Sequence, residues 1–122
     1  MKLLLVLLTM TLSVSAMATD YTCSGTEPFW GMSIKGDKLS YDYYGEVEVK
    51  KTEKILSKKL MAARPEAFGV VAKTKKVTAT IVLNDQCSDG MSDQIYSHSL
   101  VLDVKALPMV LEGCCIETPA KN

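Results

Sequence analysis

Val77-Thr78-Ala79-Thr80-Ile81-Val82-Leu83 decides the fold. The run is β-branched and alternates, with Val77, Ala79, Ile81 and Leu83 on one parity. Branching at Cβ stiffens χ1 and suits a pleated surface, and a period of two gathers one set of side chains on one face. A polar stretch, Asn84 to Gln94, follows, and then a second strand-like run from Ile95 to Val104. Two such runs around a turn-forming segment predict an antiparallel pair.

Working outward, the same signature recurs. Phe29 to Lys35, the turn signal Gly36-Asp37, and Leu39 to Tyr44 predict a hairpin. Glu46 to Lys50 alternates strictly and predicts a half-buried strand. Met109 to Ile116 is the last expected strand. Lys54 to Ala72 admits two readings. Ile55 to Ala63 has helix formers at partly helical spacing, ended by Pro65, yet a strand and a turn at Arg64-Pro65-Glu66 fit as well. Strands throughout are favoured, with one helical turn near 60–67. Seven or eight short strands in about a hundred residues define an all-β fold, an antiparallel barrel or sandwich. The short links favour a meander barrel, its interior filled by side chains.

The ends and the composition set the setting. Lys2 followed by the apolar run Leu3 to Val14 and by Ala16-Met17-Ala18 reads as a secretory signal over residues 1–18, cleaved after Ala18. The run is shorter than the roughly 20 residues a membrane-spanning helix needs. Asp20-Tyr21-Thr22 before Cys23 is not a lipidation box. The expected product, residues 19–122, is a single soluble domain, periplasmic or secreted, with no stable membrane insertion. The chain has 14 Lys and Arg against 14 Asp and Glu. Basic residues concentrate in 50–76, among them Lys50, Lys51, Lys54, Lys58 and Lys59. Lysines there solvate strand faces and protect edges; the sharper reading is a surface for an anionic glycan or lipid head group. Phe68 is the one aromatic in that stretch, so nucleic acid is not an expected partner.

Four cysteines, Cys23, Cys87, Cys114 and Cys115, fall after the signal. An even count in an exported small domain implies disulfides, with three connectivities possible. Adjacent Cys114 and Cys115 would point to opposite faces of a strand and so reach different partners. The expected pairs are Cys87–Cys114 and Cys23–Cys115, each stabilising by about 2–4 kcal/mol. No C-x-x-C pair is present and His98 is the only histidine, so neither a metal site of soft ligands nor a cofactor is expected.

Two blocks stand out as candidate site residues. In Gly25-Thr26-Glu27-Pro28-Phe29-Trp30-Gly31, Pro28 holds Glu27 extended. Trp30, the only tryptophan, reads as a barrel plug or as an aromatic platform, with Glu27 its nearest ionisable neighbour. In Cys87-Ser88-Asp89-Gly90-Met91-Ser92-Asp93, followed by Tyr96, a cysteine, two carboxylates and two hydroxyls crowd one loop. Three readings compete: side chains bonding the loop's own amides, a divalent cation held by Asp85, Asp89 and Asp93, or a displayed contact surface. The spacing is not that of a helix–loop–helix calcium loop. Ser88, Asp89, Ser92, Asp93, Tyr96, Trp30 and Glu27 are the candidate binding residues, and none is assigned a catalytic role.

Together the blocks, with Gly113-Cys114, make the chain resemble a family of small bacterial envelope proteins, often described as predicted lipoproteins or membrane proteins. Its hallmarks are G-[TN]-E-P-F-W, C-S-D-G-M-S-D followed by tyrosine, and a late G-C pair. The resemblance implies export and a shared fold and brings no activity. Ser97 stands where that family often has proline, and without a lipidation box its membrane anchor is not carried over. More distantly, Tyr21-Thr22-Cys23 and Ser88-Asp89-Gly90 with Tyr96 are similar to features of periplasmic inhibitors of c-type lysozyme, small disulfide-bonded barrels. A lipocalin-like or lysozyme-inhibitor-like barrel is therefore expected.

The functional expectation is an exported binding or structural module of the envelope that works through the 84–94 loop and contacts an envelope component or small ligand. Inhibition of lysozyme is the alternative. A hydrolase using Asp89 or Asp93 with His98 ranks below both, because Ser97 and Ser99 are expected on the opposite strand face from His98.

Overall fold

The computed structural model describes residues 19–26, 29–44, 48–61 and 69–119. The expected signal segment, Glu27, Glu46-Val47 and most of the helical turn near 60–67 lie outside the described residues. Nine strands follow one another: β1 (Thr19–Thr26), β2 (Phe29–Lys35), β3 (Lys38–Tyr44), β4 (Glu48–Lys54), β5 (Ser57–Leu60), β6 (Gly69–Lys73), β7 (Val77–Ser88), β8 (Ile95–Val104) and β9 (Leu111–Pro119). All pairings are antiparallel, and the sheet order is β4-β3-β2-β1-β9-β8-β7-β6-β5. Two meanders, β1–β4 and β5–β9, are thus joined through the β1–β9 pair. The sheet curls into a half-barrel whose two edges, β4 and β5, are consecutive in the chain.

The corner between those edges explains the curl. Ile55 N–H donates to Asp37 O at 2.6 Å, and Leu56 N–H donates to Lys73 O at 2.8 Å. The chain therefore leaves the β3 side and joins the β6 side within two residues, while the Ile55 side chain is buried. Lys50, Lys51 and Lys54 on β4 and Lys58 and Lys59 on β5 occupy the two edges, which discourages pairing with another chain.

Alternation fills the concave side. Ile34, Leu39, Val77, Ile81, Leu100, Leu102, Val104 and Cys115 are the largest fully buried side chains. Each buried aliphatic side chain contributes roughly 1.5–3 kcal/mol. Two turns are specified locally. Gly36, at φ +60°, makes the β2–β3 turn, and its N–H donates to Asp20 Oδ1 at 2.9 Å. Thr74 Oγ1 accepts from Lys76 N and Val77 N and donates to Glu53 Oε2 at 2.7 Å, closing the β6–β7 turn.

The strand count exceeds seven or eight because β1 has no counterpart in the sequence expectation; β4 and β5 answer to the runs expected at Glu46–Lys50 and within Ile55–Ala63. Both expected disulfides are present. Cys23 and Cys115 face each other across β1 and β9 with Cα atoms 4.0 Å apart, and Cys87–Cys114 spans 5.8 Å. Two disulfides indicate an oxidising environment outside the cytosol. Among the described residues no helix is long and apolar enough to cross a membrane.

Candidate functional site

The site begins where the sheet splits. β1 and β9 pair from Thr19↔Pro119 to Ser24↔Cys114 and then part. Beyond that point Gly25 and Thr26 pair with β2, and Leu111 to Gly113 pair with β8. Trp30 lies at the divergence, 5% exposed, directly opposite Gly25. A Cβ on Gly25 would overlap the indole, and one on Gly113 would sit 2.6 Å from its Cζ2. Both glycines are therefore seats for the ring, and Trp30 is a buried plug that borders the cleft. The exposed aromatic of that block is Phe29.

The Cys87–Asp93 loop covers the split. β7 extends to Ser88, further than the loop expected to start at Asn84. The register slips between Leu83↔His98 and Cys87↔Tyr96, so Asn84, Asp85 and Gln86 bulge opposite Ser97. Such a bulge bends its strand, and its three polar side chains gave that strand the look of a loop. Three ties hold the loop: Cys87–Cys114 to β9, the Thr26 hydroxyl donating to Asp89 O at 3.3 Å, and Tyr96 from β8.

Inside the loop nearly every polar side chain serves the backbone. Asp89 Oδ1 accepts from Met91 N at 2.8 Å and Ser92 N at 2.9 Å. Asp89 Oδ2 accepts from the Tyr96 hydroxyl at 3.0 Å and from Ser92 Oγ at 3.0 Å. Ser88 Oγ accepts from Gly90 N, Ser92 Oγ from Gln94 N, and Asn84 Oδ1 from Gln86 N. Gly90 takes φ +74°, which only glycine adopts without cost. Amide donors, with Tyr96 and Ser92, hold the Asp89 carboxyl at a pKa of about 2. The Tyr96 phenol is raised in turn, chiefly by its bond to Asp89.

Of the candidate residues, Ser88, Asp89, Ser92 and Tyr96 meet in this loop and shape it. Asp93 is exposed at its end, Trp30 is the plug below, and Glu27 lies outside the described residues. Met91, 68% exposed at the tip, was not among the candidates; a methionine set among polar loop residues was the available signal. Met109 and Val110 were also missed. With Ser24, Thr26, Ser88 and Glu112 they line a cleft of about 450 Å³ between loop and split. Three stretches far apart in sequence therefore converge on one place: Gly25-Thr26 and Trp30 below, Cys87–Asp93 and Tyr96 above, and Gly113-Cys114 beside.

His98 belongs to a separate cluster. It is 2% exposed, packs edge-on against Tyr21 with ring centroids 5.3 Å apart, and places Nε2 3.6 Å from Glu117 Oε2. Burial lowers its pKa, and Glu117 opposes that shift. Ser97 Oγ lies 2.8 Å from His98 Nδ1, contrary to the expected opposite-face placement. Ser97 sits at the bulge, where the irregular register breaks strict alternation. The Ser97 hydroxyl also donates to Cys115 O and accepts from Glu117 N, each at 3.4 Å. The partners of His98 are thus Ser97, Tyr21 and Glu117, while those of Asp89 are Met91, Ser92 and Tyr96. Among the described residues no group of three or more His, Cys, Asp or Glu side chains is placed to hold a metal ion.

Comparison with family models, with curated proteins and with solved structures returns no match.

Proposed function

We propose that the protein is an exported cell-envelope binding module whose contact surface is the pinned loop and the cleft beneath it. One observation carries the reading: blocks far apart in sequence converge on a single cleft, and the loop above it is prebuilt by its own side chains. A loop already ordered before contact loses little entropy on binding. In this reading Ser88, Asp89, Ser92 and Tyr96 hold the shape, while Met91, Asp93, Met109 and Val110 meet the partner. The disulfides and the signal-like N-terminus support a periplasmic or secreted location, and the resemblance to small envelope proteins agrees with it. The protein acts by contact, without catalysis.

The test is capture from an envelope extract with wild-type protein and a Met91→Ser/Asp93→Ala variant. Both side chains are exposed, so the variant should fold. A component retained by the wild type and lost by the variant supports the reading. An unchanged set of retained components refutes the loop as the contact.

A second reading has its own support. Asp85 and Asp93 are exposed beside the ionised Asp89, so the loop offers acidic groups to a basic partner such as c-type lysozyme. A turbidity assay of cell-wall lysis decides it. Undiminished lysis at micromolar protein removes lysozyme from consideration.

A further inference from the structure

The outer face of β2, β3 and β4 carries an organised surface that the loop reading does not use. Register fixes its rows. Gly31 pairs with Asp42 and Asp42 with Lys50; Ser33 pairs with Ser40 and Ser40 with Thr52; Lys35 pairs with Lys38 and Lys38 with Lys54. Alternating burial on β2 and β3 turns these rows outward, with Phe29 and Tyr44 at one end.

At that end lies a notch of about 390 Å³, walled by Phe29 and Tyr44, floored by Gly31, and edged by Asp42, Ser24 and Thr26. Both aromatic rings are 56% exposed. Packing does not require glycine at the floor, since a Cβ on Gly31 would meet nothing nearer than Cys23 O at 3.9 Å. Its absence keeps the notch open. Gly31 thus differs from Gly25 and Gly113, which seat the tryptophan.

The far end is basic. Like charges directly opposite on neighbouring strands destabilise a sheet, yet Lys35, Lys38 and Lys54 form such a row. Edge protection accounts for Lys54 on β4 but not for Lys35 and Lys38 on inner strands. Among the described residues neither these lysines nor Asp42 form an ion pair. The nearby Asp20 carboxylate accepts from Gly36 N. Ser33, Ser40 and Thr52 lie between the ends, with the Ser40 and Thr52 hydroxyls 2.9 Å apart. Lys35 and Lys38 lie six positions along the strands from Phe29 and Tyr44, roughly 20 Å, and four positions from Gly31 and Asp42, roughly 13 Å.

We propose that this face binds an acidic oligosaccharide. A pyranose has an apolar C–H face and a rim of hydroxyls. The C–H face lies against Phe29 and Tyr44, whose electron-rich ring faces attract it. The rim hydroxyls donate to the Asp42 carboxylate. The hydroxyl row follows the chain, and Lys35, Lys38 and Lys54 take an acid group further along. The notch adjoins the loop's cleft and shares Ser24 and Thr26 with it, while Phe29, Tyr44, Gly31, Asp42 and the lysine row belong to this face alone.

The test uses a tetrasaccharide alternating N-acetylglucosamine with glucuronate, and the neutral tetramer of N-acetylglucosamine, followed by amide shifts and calorimetry. The acidic tetramer should perturb Gly31, Ser33, Ser40 and Asp42, and bind at least about tenfold more tightly than the neutral one. Gly31→Leu and Tyr44→Ala should abolish binding with melting temperature retained. Lys38→Ser/Lys54→Ser should reduce the acidic tetramer to the level of the neutral one and remove its salt dependence. The proposal is overturned if neither sugar shifts these amides at millimolar concentration, if Gly31→Leu still binds, or if the double lysine variant keeps the preference.

Discussion

The Tyr96 hydroxyl donates to Asp89 Oδ2 at 3.0 Å, tying β8 to the loop that follows β7. Asp89 also takes two loop amides, and its carboxyl is held at a pKa of about 2. A carboxyl depressed below its unfolded value contributes stability above that value and loses it as pH falls through the folded pKa. The window therefore runs from about pH 4, the ordinary aspartate value, down to about 2. Carboxyl carbon shifts should show Asp89 titrating near 2, and Tyr96→Phe should move it upward. In Asp89→Ala, the Met91 and Ser92 amides should exchange with solvent at least about tenfold faster than in the wild type, because both lose their acceptor. Unchanged exchange at those amides would show that the carboxylate does not hold the loop.

His98 predicts a second pH response, of opposite origin. The groups facing it are Ser97, Tyr21 and Glu117. Burial lowers its pKa below the ordinary 6.5, so the unfolded chain takes up a proton at higher pH than the folded one. Stability should therefore fall as pH drops through about 6.5, and level off below the folded value. Melting temperatures between pH 7.5 and 5.5 measure this, with His98→Gln as the reference that lacks the titration. Glu117→Gln should steepen the loss, because the carboxylate that favours the charged ring is gone. Parallel profiles for wild type and His98→Gln would remove His98 as the cause.

The strands best read from sequence are those whose two faces differ most. Phe29–Lys35 and Ile95–Val104 match their expected bounds because apolar and polar side chains alternate through them. Thr19–Thr26 escaped notice because its inward positions are Tyr21, Cys23 and Gly25, and a buried glycine under an indole looks like a turn in sequence. The end of β7 was hidden by the bulge. Each block of the site was legible alone, through its density of unusual residues. Their meeting was legible only in part: the expected pairs Cys23–Cys115 and Cys87–Cys114 tie the cysteines together, but the β1–β9 register that sets Gly25 and Trp30 beneath the loop leaves no local pattern. Alternation does separate Phe29 from Trp30, since Trp30 shares its parity with Met32 and Ile34, whereas Phe29 shares its own with Gly31, Ser33 and Lys35.

The two disulfides should fail differently. Cys23–Cys115 closes a separation of 92 residues and Cys87–Cys114 one of 27. Chain entropy assigns them roughly 4–5 and roughly 3–4 kcal/mol. Cys23 and Cys115 are in the core and join the two meanders, so Cys23→Ser/Cys115→Ser should lower the whole urea transition by about that larger amount. Cys87→Ser/Cys114→Ser should lower it less while speeding exchange of the Asp89–Gln94 amides. Equal transitions for the two variants would contradict this division of roles.

Gly25 and Gly113 both seat Trp30, but a methyl group would meet different neighbours at each. At Gly25 the three nearest atoms all belong to the indole; at Gly113 they include Ser24 O and C of the facing backbone. Overpacking of this kind costs about 1–3 kcal/mol, so Gly25→Ala and Gly113→Ala should each lower stability. The two should part when the ring is removed. In a Trp30→Leu background, itself less stable, Gly25→Ala should become nearly neutral, because a shorter side chain leaves room. Gly113→Ala should keep most of its cost, because the Ser24 backbone stays in place. Denaturant-midpoint measurements on the two double-mutant cycles read this directly, with a coupling to Trp30 of about 1 kcal/mol or more expected for Gly25. A Gly25→Ala penalty that survives loss of the indole would mean that the glycine is set by something other than the ring, and that the plug does not rest on β1 as described.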